Sequence, residues 1–134
     1  MAKATRTASF PFEAETVWNI VTSLEHYSWR SDLSRIDVID DTNFVEYTKD
    51  GYATSFTVTC KEPCKRWEFD IENSNMHGHW TGLFSQNAAG ETTVDFTEEV
   101  TAKKIFMKPL VGIYLRKQQK TYMQDLKKAL DSLA

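Results

Sequence analysis

The chain has 134 residues, 41% of them hydrophobic and 13% aromatic, which is enough for one sizeable core and cramped for two. A net charge of −3 with interspersed signs excludes the global basic field of a nucleic-acid binder, and no run of about 18 apolar residues is present to span a membrane. The segment Met1 to Phe12 is also too polar for a signal peptide, so a cytoplasmic soluble protein is expected, without nucleic-acid partner or integral membrane association.

Thr5 to Phe12 reads as a first strand stopped by Pro11. Glu13, Glu15 and Thr16 then supply acidic and capping character for a short helix carrying Val17, Trp18, Val21 and Leu24. The next piece, LEHYSWRSDL from Leu24 to Leu33, is irregular or helical, and its Tyr27 and Trp29 are large enough to fold back under a sheet. From there the period becomes alternating. Arg35 to Asp40 and Asn43 to Thr48 are short strands joined by a turn at Asp40-Asp41-Thr42, and Asp50-Gly51 signals a hairpin.

Thr54, Phe56, Val58 and Cys60 share one face of the following strand, and Trp67, Phe69 and Ile71 one face of the strand after it. Asn73-Ser74-Asn75 turns the chain into His79 to Phe84, apolar on both sides, and Asn87 to Gly90 makes the last hairpin. The final strand, Thr92 to Ala102, sets Val94, Phe96, Glu98 and Val100 on one face. Turns this short join antiparallel neighbours, so the strands form a meander whose first strand can pair with its last.

Met107 to Leu133, entered through Pro109, is a long amphipathic helix. Val111, Leu115, Tyr122, Leu126, Ala129 and Leu133 fall on the side expected to meet the sheet, and Arg116, Lys117, Lys120, Lys127 and Lys128 on the solvated side. Cys60 and Cys64, the only cysteines, bracket the Lys61-Glu62-Pro63 turn; they read as structural thiols, a disulfide stays open, and zinc would need two more ligands than the neighbourhood offers.

AETVWNIVTSLEHYSW, VTCKEPCKRWEF, GHWTGLF, ETTVDFTEEV and the closing TYMQDLKKAL together resemble the START-like, or SRPBCC, superfamily, specifically its polyketide cyclase/dehydrase-type proteins. The chain departs from that pattern at Ala14, where a proline often stands. The resemblance implies an α+β helix-grip fold of the START and Bet v 1 kind over residues 1–134, a single domain in which a curved antiparallel sheet wraps the C-terminal helix. It also implies a deep apolar cavity between the two, used across the group for lipids, hormones and polyketides, and no single reaction.

For such a cavity the candidate walls are Phe56, Trp67, Phe69, Trp80, Phe84 and Phe96 from the sheet, with Val111, Tyr114, Leu115, Gln118 and Tyr122 from the helix; each aromatic could equally be core. Glu98 is the candidate catalytic residue. Its parity points it inward, where an unpartnered carboxylate must raise its pKa or meet a donor such as a Tyr hydroxyl or Gln118, unless a bulge turns Glu99 inward instead or Glu98 lies in water at the cavity rim. His77 and His79 lie on one face opposite Trp80 and read as surface residues, as does His26, and Arg30 and Asp32 as a pair at the cavity mouth or in solvent. No metal site, nucleophile elbow or phosphate loop is legible, and the pattern calls for no cofactor.

The expectation taken first is binding of one small hydrophobic or amphipathic molecule, such as a lipid or polyketide. Two alternatives are a cyclase or dehydratase using Glu98 as acid/base, and a protein-interaction module. Ligand identity, any reaction and the oligomeric state are not legible.

Overall fold

The computed structural model describes residues 2–133. Strand β1 (Ala2–Phe10) leads into helix α1 (Ala14–Thr22), then β2 (Leu33–Val38), β3 (Asn43–Thr48), β4 (Ala53–Glu62), β5 (Arg66–Glu72), β6 (Met76–Gln86) and β7 (Thr92–Ala102). A single 3-10 turn (Ile105–Met107) delivers the chain into the long helix α2 (Lys108–Asp131), with Pro109 in its first turn. All pairings are antiparallel and the strand order is β1-β7-β6-β5-β4-β3-β2, so the expected meander is closed by its first strand lying on its last.

Local chemistry sets the corners. Asp40, Asn73 and Asn87 each open a turn by accepting two backbone N–H bonds on one side-chain oxygen, at 2.8–3.0 Å. The β4–β5 turn places Cys64 at φ 63, after Pro63, with Lys65 N–H donating to the Glu62 carbonyl at 3.0 Å. Both cysteines are free thiols. One parity expectation is corrected here: a register shift between Val58 and Cys60 brings Cys60 opposite Glu68, away from the inward face that Phe56 and Val58 share.

Helix α2 is buried through Val111, Leu115, Gln119, Met123, Leu126 and Leu130, a stripe at spacings of four and three. This corrects the expected face: Leu133 is exposed, Ala129 and Tyr122 are only partly covered, and a buried amide, Gln119, takes a central position. Its Nε2 donates to the carbonyls of Ala4, at 2.9 Å, and Phe96, at 3.2 Å, so the helix is clasped to β1 and β7 at once. The main core is an aromatic layer on the inner face of the sheet, and a smaller cluster of Ala4, Val100, Ala102, Val111 and Leu115 seals the other end of α2.

Candidate functional site

Alternation brings Phe56, Trp67, Phe69, Trp80 and Phe96 from four adjacent strands onto the concave face of the sheet. Their rings contact in sequence: Phe56 edge-on to Phe69 at 5.1 Å, Phe69 stacked on Trp80 at 4.8 Å, and Trp80 against Phe96 at 4.9 Å. Gly82 makes room for this layer. A Cβ there would collide with the Trp80 indole and crowd Phe96 at 3.3 Å. Gly82→Ala is therefore expected to cost about 1–3 kcal/mol and to displace Trp80 into the space in front of it, read as a lowered urea midpoint and a changed tryptophan emission. Unchanged emission would contradict this role.

In front of the layer lies a cavity of about 90 Å3, closed by Met123 and Tyr122 of α2, by Val21 of α1, and by Leu24, Tyr27, Trp29 and Arg30 of the α1–β2 segment. That segment is pinned from below. Asp125 of α2 accepts the Ser31 N–H and hydroxyl on the same oxygen, each at 2.8 Å. The cavity is smaller and more polar than the resemblance implies. A site for a drug-sized ligand holds roughly 300 Å3 or more, and one wall here carries Arg30, Glu46, Glu98, Gln118 and Gln119.

Arg30 organises that wall. Its Nε and Nη2 donate to the two Asp32 oxygens at 3.0 Å each, while Nη1 and Nη2 reach Glu46 at 3.5 and 3.4 Å. The guanidinium also lies 4.9 Å from the Tyr122 ring centre and 5.9 Å from that of Trp29. Burial disfavours the charge, yet Glu46, Tyr122 and Asp32 together hold the guanidinium pKa above its ordinary value. For Glu46 burial prevails over Arg30 and its pKa is raised; for Asp32 burial pushes the same way, but the hydrogen bonds and charge of Arg30, with further bonds to the carboxylate, together outweigh it and its pKa is lowered.

Glu98 points inward as its parity requires, directly opposite Trp80, while Glu99 is on the outer face beside Lys3 at 3.5 Å. Burial, then the Glu46 carboxylate, push the Glu98 pKa up to about 7, with the Arg30 charge pulling the other way. Neither Gln118 nor a Tyr hydroxyl is hydrogen-bonded to it among the described residues. Tyr122 is likewise raised by burial and stays a neutral phenol. Two cavity-lining indoles, Trp29 and Trp67, carry a buried N–H with no acceptor among the described residues.

Of the residues singled out from sequence, Phe56, Trp67, Phe69, Trp80, Phe96, Glu98, Gln118 and Tyr122 meet at this cavity. Four do not line it. Phe84 packs behind it on Trp18, at 5.0 Å; Val111 and Leu115 belong to the cluster at the other end of α2; Tyr114 is 47% exposed. Arg30 and Asp32 do pair, and Arg30 lies inside the wall. Glu46 was not foreseen, although it stands two residues from the buried Phe44 and so shares its inward parity. His79 is on the outer face, with Nδ1 2.7 Å from Asp70 and Nε2 2.8 Å from Glu68. Among the described residues no group of three ligating side chains could hold a metal ion, and no helix is long and apolar enough to cross a membrane.

A sheet that curls round its own last helix and leaves a hollow between them is the helix-grip architecture of START-like proteins. The chain belongs to the polyketide cyclase / dehydrase and lipid transport family, whose model matches residues 1–131. No curated protein matches it. Among solved structures, a START superfamily protein from Mycobacterium smegmatis superposes with a TM-score of 0.88 at 12% identity, covering 100% of both chains. A conserved protein from Geobacillus kaustophilus gives 0.83 at 10%, covering 97% of this chain and 95% of its own. The di-domain ARO/CYC protein BexL from the BE-7585A biosynthetic pathway gives 0.78 at 11%, with 98% of this chain matching 47% of that one. At these identities the likeness is one of fold.

Proposed function

We propose that the protein encloses one compact amphipathic molecule between the sheet and α2. The observation that carries this reading is the division of the cavity into an aromatic wall and a charged one. Burial of apolar ligand surface against the rings supplies the drive, at about 25 cal/mol per Å2 before ordering costs, and the charged wall orients it. Arg30 already has both edges of its guanidinium taken by Asp32 and Glu46, so the wall offers a ligand carboxylates, phenol and indole N–H groups rather than a free cation. The favoured polar group is therefore a neutral hydroxyl or carbonyl, or an amine, and not a carboxylate. Larger molecules require the segment 23–32 or α2 to move outward.

Trp29, Trp67 and Trp80 line the cavity and report on it. Titration with an aliphatic or aromatic alcohol should change tryptophan emission saturably, whereas the matched carboxylate should bind at least tenfold more weakly at pH 8. Native mass spectrometry of protein from its own host, followed by organic extraction, should recover a discrete neutral or amine-bearing adduct. Failure of both experiments, or preference for the carboxylate, would remove the proposal.

One observation favours a second, catalytic reading: Glu98 stands in the cavity with a pKa of about 7 and no hydrogen-bond partner among the described residues. Poised there, it can give a proton to a bound carbonyl oxygen or take one from the adjacent carbon, the chemistry of a cyclase or dehydratase. In that case Glu98→Gln abolishes turnover of a polyketide-like substrate and leaves binding within a few-fold; a variant that still turns over excludes it.

A further inference from the structure

From Val100 to Gln124 the chain contains six basic residues and no acidic one, although its overall charge is −3. The same stretch holds the two most exposed large apolar side chains among the described residues, Ile105 at 78% and Phe106 at 72%, with Leu110 at 62% and Ile113 at 59% close by in sequence. Leu110, Ile113, Tyr114 and Lys117 follow the spacing of one helix face and stand on the side of α2 turned away from the sheet, just beyond the 3-10 turn that projects Ile105 and Phe106. Lys103 is engaged by Glu72; Lys104, Lys108, Lys117 and Lys120 are exposed and form no ion pair among the described residues.

We infer that this edge, the 3-10 turn and first turns of α2, docks peripherally on an anionic lipid surface. An isologous pairing of two copies would set the lysines of one against those of the other, and a polyphosphate backbone offers nothing to Phe106 or Leu110. A convex group of apolar side chains ringed by long cationic ones matches a bilayer, where the apolar tips enter the acyl boundary and the ammonium groups remain among acidic head groups. Tyr114, at the border between the two, suits the interfacial level. The inference is independent of what the cavity holds.

The test is cosedimentation of the full chain with phosphatidylcholine vesicles and with vesicles containing about one quarter phosphatidylserine. The protein should pellet with the anionic vesicles at least tenfold more strongly than with neutral ones, and added salt should release part of it. Phe106→Asp with Leu110→Asp, both exposed positions, should abolish binding with unchanged circular dichroism, and Lys104→Glu with Lys108→Glu should weaken it tenfold or more. No binding of the unaltered protein to anionic vesicles would overturn the inference and leave an acidic protein groove as the occupant. Binding that survives the aspartate pair would overturn it equally. So would a dimer in sedimentation velocity that those substitutions dissociate while vesicle binding is absent, since the edge would then belong to a second copy.

Discussion

Replacing Arg30 by methionine is expected to destabilise the protein by about 3–5 kcal/mol, measured as a loss of urea resistance at pH 7. Methionine keeps much of the packing against Trp29 and Tyr122 while removing the charge. Glu46, whose side chain is only 16% exposed, would then be an anion buried without a partner, and Asp32 would lose its two 3.0 Å bonds. The cost lies in breaking the pair rather than in the pair's net worth. Adding Glu46→Gln to the methionine variant should therefore recover a large part of the loss. A decrease below about 1 kcal/mol would mean that solvent screens this wall effectively and that Arg30 does not organise it. Removing the guanidinium also removes the one charge that lowers the Glu98 pKa, so that carboxyl should titrate above its present value of about 7.

Glu98→Gln should stabilise the protein at pH 8 by about 1–3 kcal/mol and leave it nearly unchanged at pH 4. The pKa of Glu98 rises on folding from 4.5 to about 7, so the native state holds a proton that the unfolded chain releases. Relative to a permanently neutral side chain, the glutamate is fully tolerated below about pH 4.5. It becomes a progressive cost as pH climbs through 7, after which the cost is constant. The lower part of the range is expected because Glu98 is half-buried by accessible area and the cavity admits some solvent. Urea unfolding of both proteins between pH 4 and 8 measures the difference, and parallel curves would place the carboxylate in contact with bulk water.

Much of the architecture was legible because its determinants are local. Asp40, Asn73 and Asn87 each turn the chain within a few residues, and the inward parity of Trp67, Phe69, Trp80, Phe96 and Glu98 follows from alternation alone. The failures have equally specific causes. The bulge after Val58 carries no compositional mark, yet it moves Cys60 to the other face. The buried stripe of α2 runs through Gln119, whose burial depends on carbonyls of Ala4 and Phe96 more than 20 positions away, so hydropathy placed Tyr122 and Leu133 there instead. Arg30 was seen beside Asp32, two residues on, but its second partner, Glu46, lies 16 positions away on another strand. Nor does amphipathicity distinguish a helical residue over the cavity from one over solid core, which is why Val111 and Leu115 were grouped with Tyr122.

Closure of the sheet by its first strand also governs how the chain can be made. Thr5 meets Thr97 across 92 positions of sequence, and α2, which covers the aromatic face, follows every strand. During synthesis the hairpins from β2 to β7 can form in order, because each needs only its neighbour. Until α2 has left the ribosome, however, their ring-lined concave surface has no cover. The longest loop closure and the burial of that surface thus fall together once α2 has emerged, and the interval before it is the one in which a nascent chain is most exposed to aggregation and most dependent on chaperones.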